Sequence, residues 1–220
     1  MRVLAPLILL LAACGTSAPP DRGAVLAIGD SILAWNGRDG IPEVAAAGLG
    51  RPVVDASVPG ARLLQDRPVL AALGLDIRRQ WAANRRRWAW VILDGGGNDL
   101  RGVCRTPGEA AALDALIAPD LTGTIPTLIA DIRATGSPVA FVGYYDGAAA
   151  EPTGFTPCQS AFDAINARMV RLAAGDAGLV FVDAGGVIDP ARRELYARDL
   201  IHPAPEASRL IGEALAAAMR

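Results

Sequence analysis

The chain has 220 residues, a formal net charge of −2 and 52% hydrophobic residues. That is enough for one domain with a sizeable core, and it gives no electrostatic case for nucleic acid. All 21 cationic residues are Arg, which excludes a Walker-type phosphate loop and Schiff-base chemistry, since both need a lysine amine.

The chain opens with Arg2 and an apolar run, residues 3–13, too short to span a bilayer. A charged start, an apolar middle and small residues before a cut describe a secretory signal. The run ends in Leu11-Ala12-Ala13-Cys14, which resembles the lipobox of bacterial lipoproteins. That resemblance implies cleavage before Cys14 and acylation of its sulfur, in place of an ordinary signal peptide with an incidental Cys. Residues 1–13 are then a lipoprotein signal peptide, and 14–22 a flexible tether with two Pro and small hydroxyl residues. Residues 23–220 form the domain, in the bacterial cell envelope, facing the periplasm. Export changes the meaning of Cys104 and Cys158, which outside the cytoplasm are expected to form a disulfide, in place of two separate thiols.

Short apolar runs recur at 24–28, 52–56, 88–93, 138–144 and 179–182. Stretches with helical spacing lie between them at 76–87, 125–134, 158–174 and 204–219, with a weaker one at 41–49. In the third of these, Ile165, Met169 and Leu172 share one helical face. Strands alternating with helices predict an α/β domain whose parallel sheet is covered on both faces. There is no internal repeat and no second domain.

Ligands of such sheets bind beyond the C-terminal ends of the strands, so the residues that follow each run matter most. The first run leads into Gly29-Asp30-Ser31, the second into Ser57-Val58-Pro59-Gly60, and the third into Gly95-Gly96-Gly97-Asn98-Asp99. Tyr144-Tyr145-Asp146 closes the fourth, and Asp199-Leu200-Ile201-His202-Pro203 precedes the last helix. Each piece alone has a plain reading: a strand-ending turn, a glycine loop, a capping Asp, a surface His. Together they collect polar and glycine-rich residues on one rim.

The chemistry available on that rim is nucleophilic. A serine hydroxyl needs a base to take its proton. His202 is the only His in the chain and is the candidate base. Asp199, three residues earlier, can hold its other ring nitrogen. Attack on an ester carbonyl creates an oxyanion that needs donors already in place. The Ser31 and Gly60 backbone N–H groups and the Asn98 side-chain amide are the candidates. One His and three Cys are too few for a zinc site of the usual kind, and nothing in the pattern calls for a cofactor.

These segments resemble the four sequence blocks of the SGNH, or GDSL, hydrolase family: Gly29-Asp30-Ser31, Gly60, Gly96-Gly97-Asn98-Asp99 and Asp199-Leu200-Ile201-His202-Pro203. The resemblance spans nearly the whole domain. It implies a three-layer α/β/α flavodoxin-like fold with a five-stranded parallel sheet in the order 2-1-3-4-5. It implies Ser31 as nucleophile, His202 as base, Asp199 as its orienting partner, and Gly60 and Asn98 as oxyanion donors. Residues 53–60 and 96–102 look most like the bacterial periplasmic thioesterase, lysophospholipase and esterase branch. Ile32 stands where the family usually has Leu, and the Gly-x-Ser-x-Gly elbow of the other large serine-esterase fold is absent.

The expected activity is hydrolysis of small or lipid acyl esters through an acyl-enzyme on Ser31, by a monomer held at the membrane through Cys14. Trp35, Tyr144, Tyr145 and Phe155 are candidates to hold the acyl chain. Arg62, Arg101 and Arg105 are candidates to favour an anionic ester, against the plainer reading of a solvated face. Two other readings stand beside this one. One is removal or transfer of acetyl groups on an envelope polysaccharide. The other is a non-catalytic envelope binding lipoprotein with a vestigial site.

Overall fold

Five short apolar runs, too brief for helices and rich in Val, Ile, Leu and aromatics, pair side by side. They are β1 (Val25–Ile28), β2 (Val53–Asp55), β3 (Trp90–Leu93), β4 (Val139–Val142) and β5 (Leu179–Val182). All neighbours are parallel, in the order β2-β1-β3-β4-β5. The computed structural model describes residues 23–220. The signal segment, Cys14 and the tether lie outside the described residues.

β1 sits inside the sheet, and its four residues are fully buried. Val25 lies beside Val53 on one side and Trp90 on the other, which fixes the register of the three strands. β2 is the edge, and its Val54 is largely exposed. β3 begins two residues later than its apolar run. Trp88 turns its N–H to the Ser137 hydroxyl at 2.9 Å, and the ladder starts at Trp90.

The helices are α1 (Ser31–Ala34), α2 (Ile41–Gly48), α3 (Ile77–Ala83), α4 (Gly97–Leu100), α5 (Glu109–Leu116), α6 (Thr124–Arg133), α7 (Gln159–Ala174) and α8 (Pro205–Ala218). Parallel crossovers are right-handed. The β1-to-β2 connection runs one way along the sheet, and the later connections run the other way. α2 therefore lies on one face, with α3, α6 and α7 on the opposite one. α8 returns to the α2 side, where Gly48 packs on Ala216 and Gly212 on Val44. Buried Trp81 and Trp88 anchor the core and keep their ring N–H groups bonded, to Asp131 at 2.6 Å and the Asn84 carbonyl at 2.9 Å. Among the described residues, no helix is long and apolar enough to cross a membrane.

The strand order reverses between β1 and β3. That switch point is where ligand crevices form in doubly wound sheets. Ser31 follows β1 and Asn98 follows β3, so both stand at its mouth.

Candidate active site

The turn after β1 carries Ser31 to the start of α1. Asp30 caps this helix, its carboxylate accepting the Ile32 N–H at 3.0 Å. α1 is a single turn, so any help to a negative charge comes from its local N–H groups and not from a long helix dipole.

The loop before α8 brings in His202, the candidate base. His202 Nε2 lies 2.8 Å from Ser31 Oγ, and His202 Nδ1 lies 2.5 Å from Asp199 Oδ2. The other oxygen of Asp199 accepts the backbone N–H groups of Ile201 at 3.1 Å and His202 at 3.0 Å. Asp199 therefore does not cap α8, whose N-cap is Ala204. Partial burial pushes the Asp199 carboxyl up, but the hydrogen bonds from His202 and Ile201 pull it further down, to below the usual carboxylate range. It faces His202 as an anion.

Trp35, the residue that closes α1, covers the His202 ring. The two rings are parallel within 9°, with centroids 3.8 Å apart. Of the four candidate aromatics, Trp35 thus packs on the base, while Tyr144, Tyr145 and Phe155 line the pocket beside Ser31. That pocket also takes in Asn98, Phe162 and Ile201, and its cavity volume is about 40 Å³. This is room for roughly three water molecules.

The loop after β2 is stitched to the nucleophile turn: the Val58 N–H bonds the Gly29 carbonyl at 3.1 Å, and the Asn98 amide bonds the Ala61 carbonyl at 3.1 Å. Gly60 sits on this loop at φ 83°, a conformation that favours glycine. Neither the Ser31 nor the Gly60 backbone N–H has a hydrogen-bond partner among the described residues. Asn98 differs. Its amide nitrogen already donates to Ala61 and, at 3.2 Å, to Asp30 Oδ2. Both bonds are at the long end for N–H···O, so an arriving anion competes for a hydrogen held weakly.

Block residues without an expected role do much of the holding. Asp99 accepts the N–H groups of Leu63 at 3.0 Å and Leu64 at 2.7 Å, which fixes the chain just past Ala61. Burial pushes its carboxyl up to about 6 despite these bonds and the nearby Arg62. Gly96 takes φ 116° to turn the chain into α4. At Gly97 any Cβ would lie 2.9 Å from the Tyr144 ring, and its N–H reaches the Tyr144 hydroxyl at 2.7 Å. Tyr144 in turn donates to Asp30 at 3.1 Å.

Cys104 and Cys158 form a disulfide, with Cα atoms 5.0 Å apart. It ties the segment after α4 to the start of α7, whose Phe162 walls the pocket. Arg101 lies over the Phe155 ring at 5.5 Å, and Arg105 stands at the exposed surface.

Residues 27–210 match the GDSL-like Lipase/Acylhydrolase family. The chain belongs to that family. Solved structures agree on the fold. Est24, a carbohydrate acetylesterase from Sinorhizobium meliloti, is 16% identical with a TM-score of 0.66, over 88% of this chain and 96% of that one. The aryl esterase of M. smegmatis is 19% identical with a TM-score of 0.61, over the same shares. TesA is 22% identical with a TM-score of 0.60, over 90% and 98%. No curated protein matches the chain. Within this SGNH hydrolase, sequence reasoning gave no role to Asp30, Asp94 or Asp99, and it offered Tyr144 only as an acyl-chain contact, not as a partner of Asp30 and Gly97. The Gly-Asp-Ser and Asn-Asp doublets were the available signal for Asp30 and Asp99.

Proposed function

We propose that this SGNH hydrolase is a serine esterase for short acyl esters. The observation that carries the reading is the unbroken line from Asp199 through His202 to Ser31, at 2.5 and 2.8 Å. Asp199 fixes the His202 tautomer, with a proton on Nδ1 and a lone pair on Nε2. His202 takes the Ser31 proton as Oγ attacks the ester carbonyl. The resulting oxyanion meets the free N–H groups of Ser31 and Gly60 and a hydrogen of Asn98. His202 then gives its proton to the leaving alcohol, and Ser31 carries the acyl group. Water, activated by His202 in the same way, releases the acid.

The cavity suggests which ester. The narrow cavity beside Ser31, about 40 Å³, favours a short acyl group such as acetyl over a long chain. His202 and Asp199 are partly exposed, so the alcohol side lies toward solvent and tolerates bulk. Acetyl esters of bulky alcohols, those on an envelope polysaccharide included, fit this arrangement better than the long-chain esters of a lysophospholipase. The complete catalytic line also speaks against a vestigial binding protein.

A panel of esters tests this. kcat/KM should be highest for acetyl and propionyl esters and fall as the acyl chain passes butyryl, with acetylated glycan among the substrates. Preference for palmitoyl thioesters or lysophospholipid would overturn it. The Leu11-Ala12-Ala13-Cys14 segment further supports a lipid anchor in the envelope. Cys14→Ala should release the protein from membranes or leave it unprocessed, and unchanged fractionation would refute the anchor.

A further inference from the structure

Beneath Ser31 lies a second acid that the reaction above does not use. Asp94 directly follows β3 and is 1% exposed. One of its oxygens accepts the Asp30 N–H at 2.7 Å; the other is buried and meets no N–H or hydroxyl donor. Space has been cleared for this side chain, since a Cβ on Gly29 would lie 1.7 Å from Asp94 Oδ1. Asp30 is 2% exposed, and its carboxyl is close enough to Asp94 for a proton on either acid to bridge the two.

Two carboxyls in such a place cannot both be ionised. Among the described residues, neither forms an ion pair with an Arg. A buried unpaired charge is costly, and two adjacent like charges cost more. The count of donors says which acid keeps the proton. Asp30 accepts from the Ile32 N–H, the Asn98 amide and the Tyr144 hydroxyl. Asp94 accepts from one N–H. The ionised group is therefore Asp30, and the hydrogen between them belongs to Asp94.

We propose that Asp94 is a positioning residue of the esterase: it carries the proton that fixes Asp30, and Asp30 sets the Asn98 amide and the Tyr144 hydroxyl at the oxyanion side. Tyr144 passes the constraint on to the Gly97 N–H. The chain of bonds thus crosses the switch point from β1 to β3 and β4. The charged and titratable groups around it are Asp30 itself, Asp55 on β2, Asp99 on α4, Tyr144 and Tyr145 after β4, and His202. Only His202 can be positive. Burial first, then Asp30 and Asp55, push the Asp94 carboxyl well above the usual range, and burial pushes Asp30 up less. Losing the shared proton would place a second negative charge under the forming oxyanion and break the bond that orients Asp30.

The inference rests on the esterase reading, and its test separates the two. Infrared spectroscopy of the wild type at pH 8 should show a buried neutral carboxylic acid band that Asp94→Asn lacks. This readout needs no turnover. In acetyl ester hydrolysis, Asp94→Ala should lower kcat roughly 10²-fold, as a misplacement near the reacting atoms does, with KM little changed. Asp94→Asn keeps a donor and an acceptor in the same shape and should restore most of that loss. The wild-type kcat should fall at alkaline pH as the bridging proton is lost, and that fall should be absent in Asp94→Asn. Absence of the acid band, wild-type kcat in folded Asp94→Ala, or no rescue by Asn would overturn the proposal. A band present in a protein that cleaves no acyl ester would keep the shared proton and overturn the esterase reading.

Discussion

The indole of Trp35 lies flat on the imidazole of His202, 3.8 Å between ring centroids. Trp35 directly follows the helix that Ser31 begins. The segment that carries Ser31 therefore covers one face of the His202 ring. Asn36 strengthens the tie, its amide bonding the Pro203 carbonyl at 2.9 Å and the Ser208 hydroxyl at 2.8 Å. In the proposed reaction His202 becomes a cation, and a cation over an indole face gains ~0.5–2 kcal/mol. Trp35→Ala should lower kcat roughly 3- to 30-fold, the kinetic equivalent of that range. KM should change less, and Trp35→Phe should recover part of the loss. Steady-state kinetics of the three proteins check it; an unchanged kcat would mean the stack is packing only.

Asn98 is the donor that must change partners. Asn98→Ala should lower kcat roughly 10²- to 10³-fold, as loss of one oxyanion donor does elsewhere. Its effect on KM should be smaller, because the contact strengthens mainly in the transition state. A raised KM at equal kcat would assign Asn98 to ground-state binding.

Asp99 gives a pH dependence with a defined sign. Its folded carboxyl is raised to about 6 from an ordinary 3.8. Folding therefore favours the protonated form, and that stabilisation is present below about 4 and lost as pH rises through about 6. Asp99→Asn cannot titrate. The stability of the wild type relative to Asp99→Asn should fall between pH 4 and 6 and level off above. Denaturant midpoints across that range would show it; a flat difference would contradict it.

The Cys104–Cys158 bridge spans 54 positions. Its removal in Cys104→Ala/Cys158→Ala should cost roughly 2–4 kcal/mol of unfolding free energy. Urea unfolding with and without reductant measures this, and mass mapping of unreduced peptides identifies the bond. Two freely alkylated thiols in the exported protein would refute the bridge.

The sheet was legible because each strand is a short apolar run ending in Gly, Asp, Ser or Asn, and turn chemistry marks such ends. β5 falls where its run predicts, at Leu179–Val182. α5 was missed because Glu109–Leu116 is rich in Ala, with only Leu113 and Leu116 buried, which leaves little helical stripe to read. The meeting of Ser31, Asp199 and His202 followed from motifs after β1, β2 and β3 together with the Asp199–His202 pair before the last helix. The Asp30–Asp94–Tyr144 network did not, because β1, β3 and β4 bring those side chains together across the sheet, and sequence spacing carries no sign of it. Nor did spacing show that Trp35 turns onto His202 while Phe155 turns into the pocket.

The central claim is that Ser31 is a nucleophile activated by His202. The direct measurement is peptide mapping by mass spectrometry after exposure to a fluorophosphonate, on wild type, Ser31→Ala and His202→Ala. A single adduct should sit on Ser31 in the wild type, be absent in Ser31→Ala and weaken strongly in His202→Ala. The two single variants should each lose nearly all esterase activity, and the double variant should be little worse, because the residues act as a unit. An adduct on Ser57 or another serine, or substantial turnover by folded Ser31→Ala, would contradict the account.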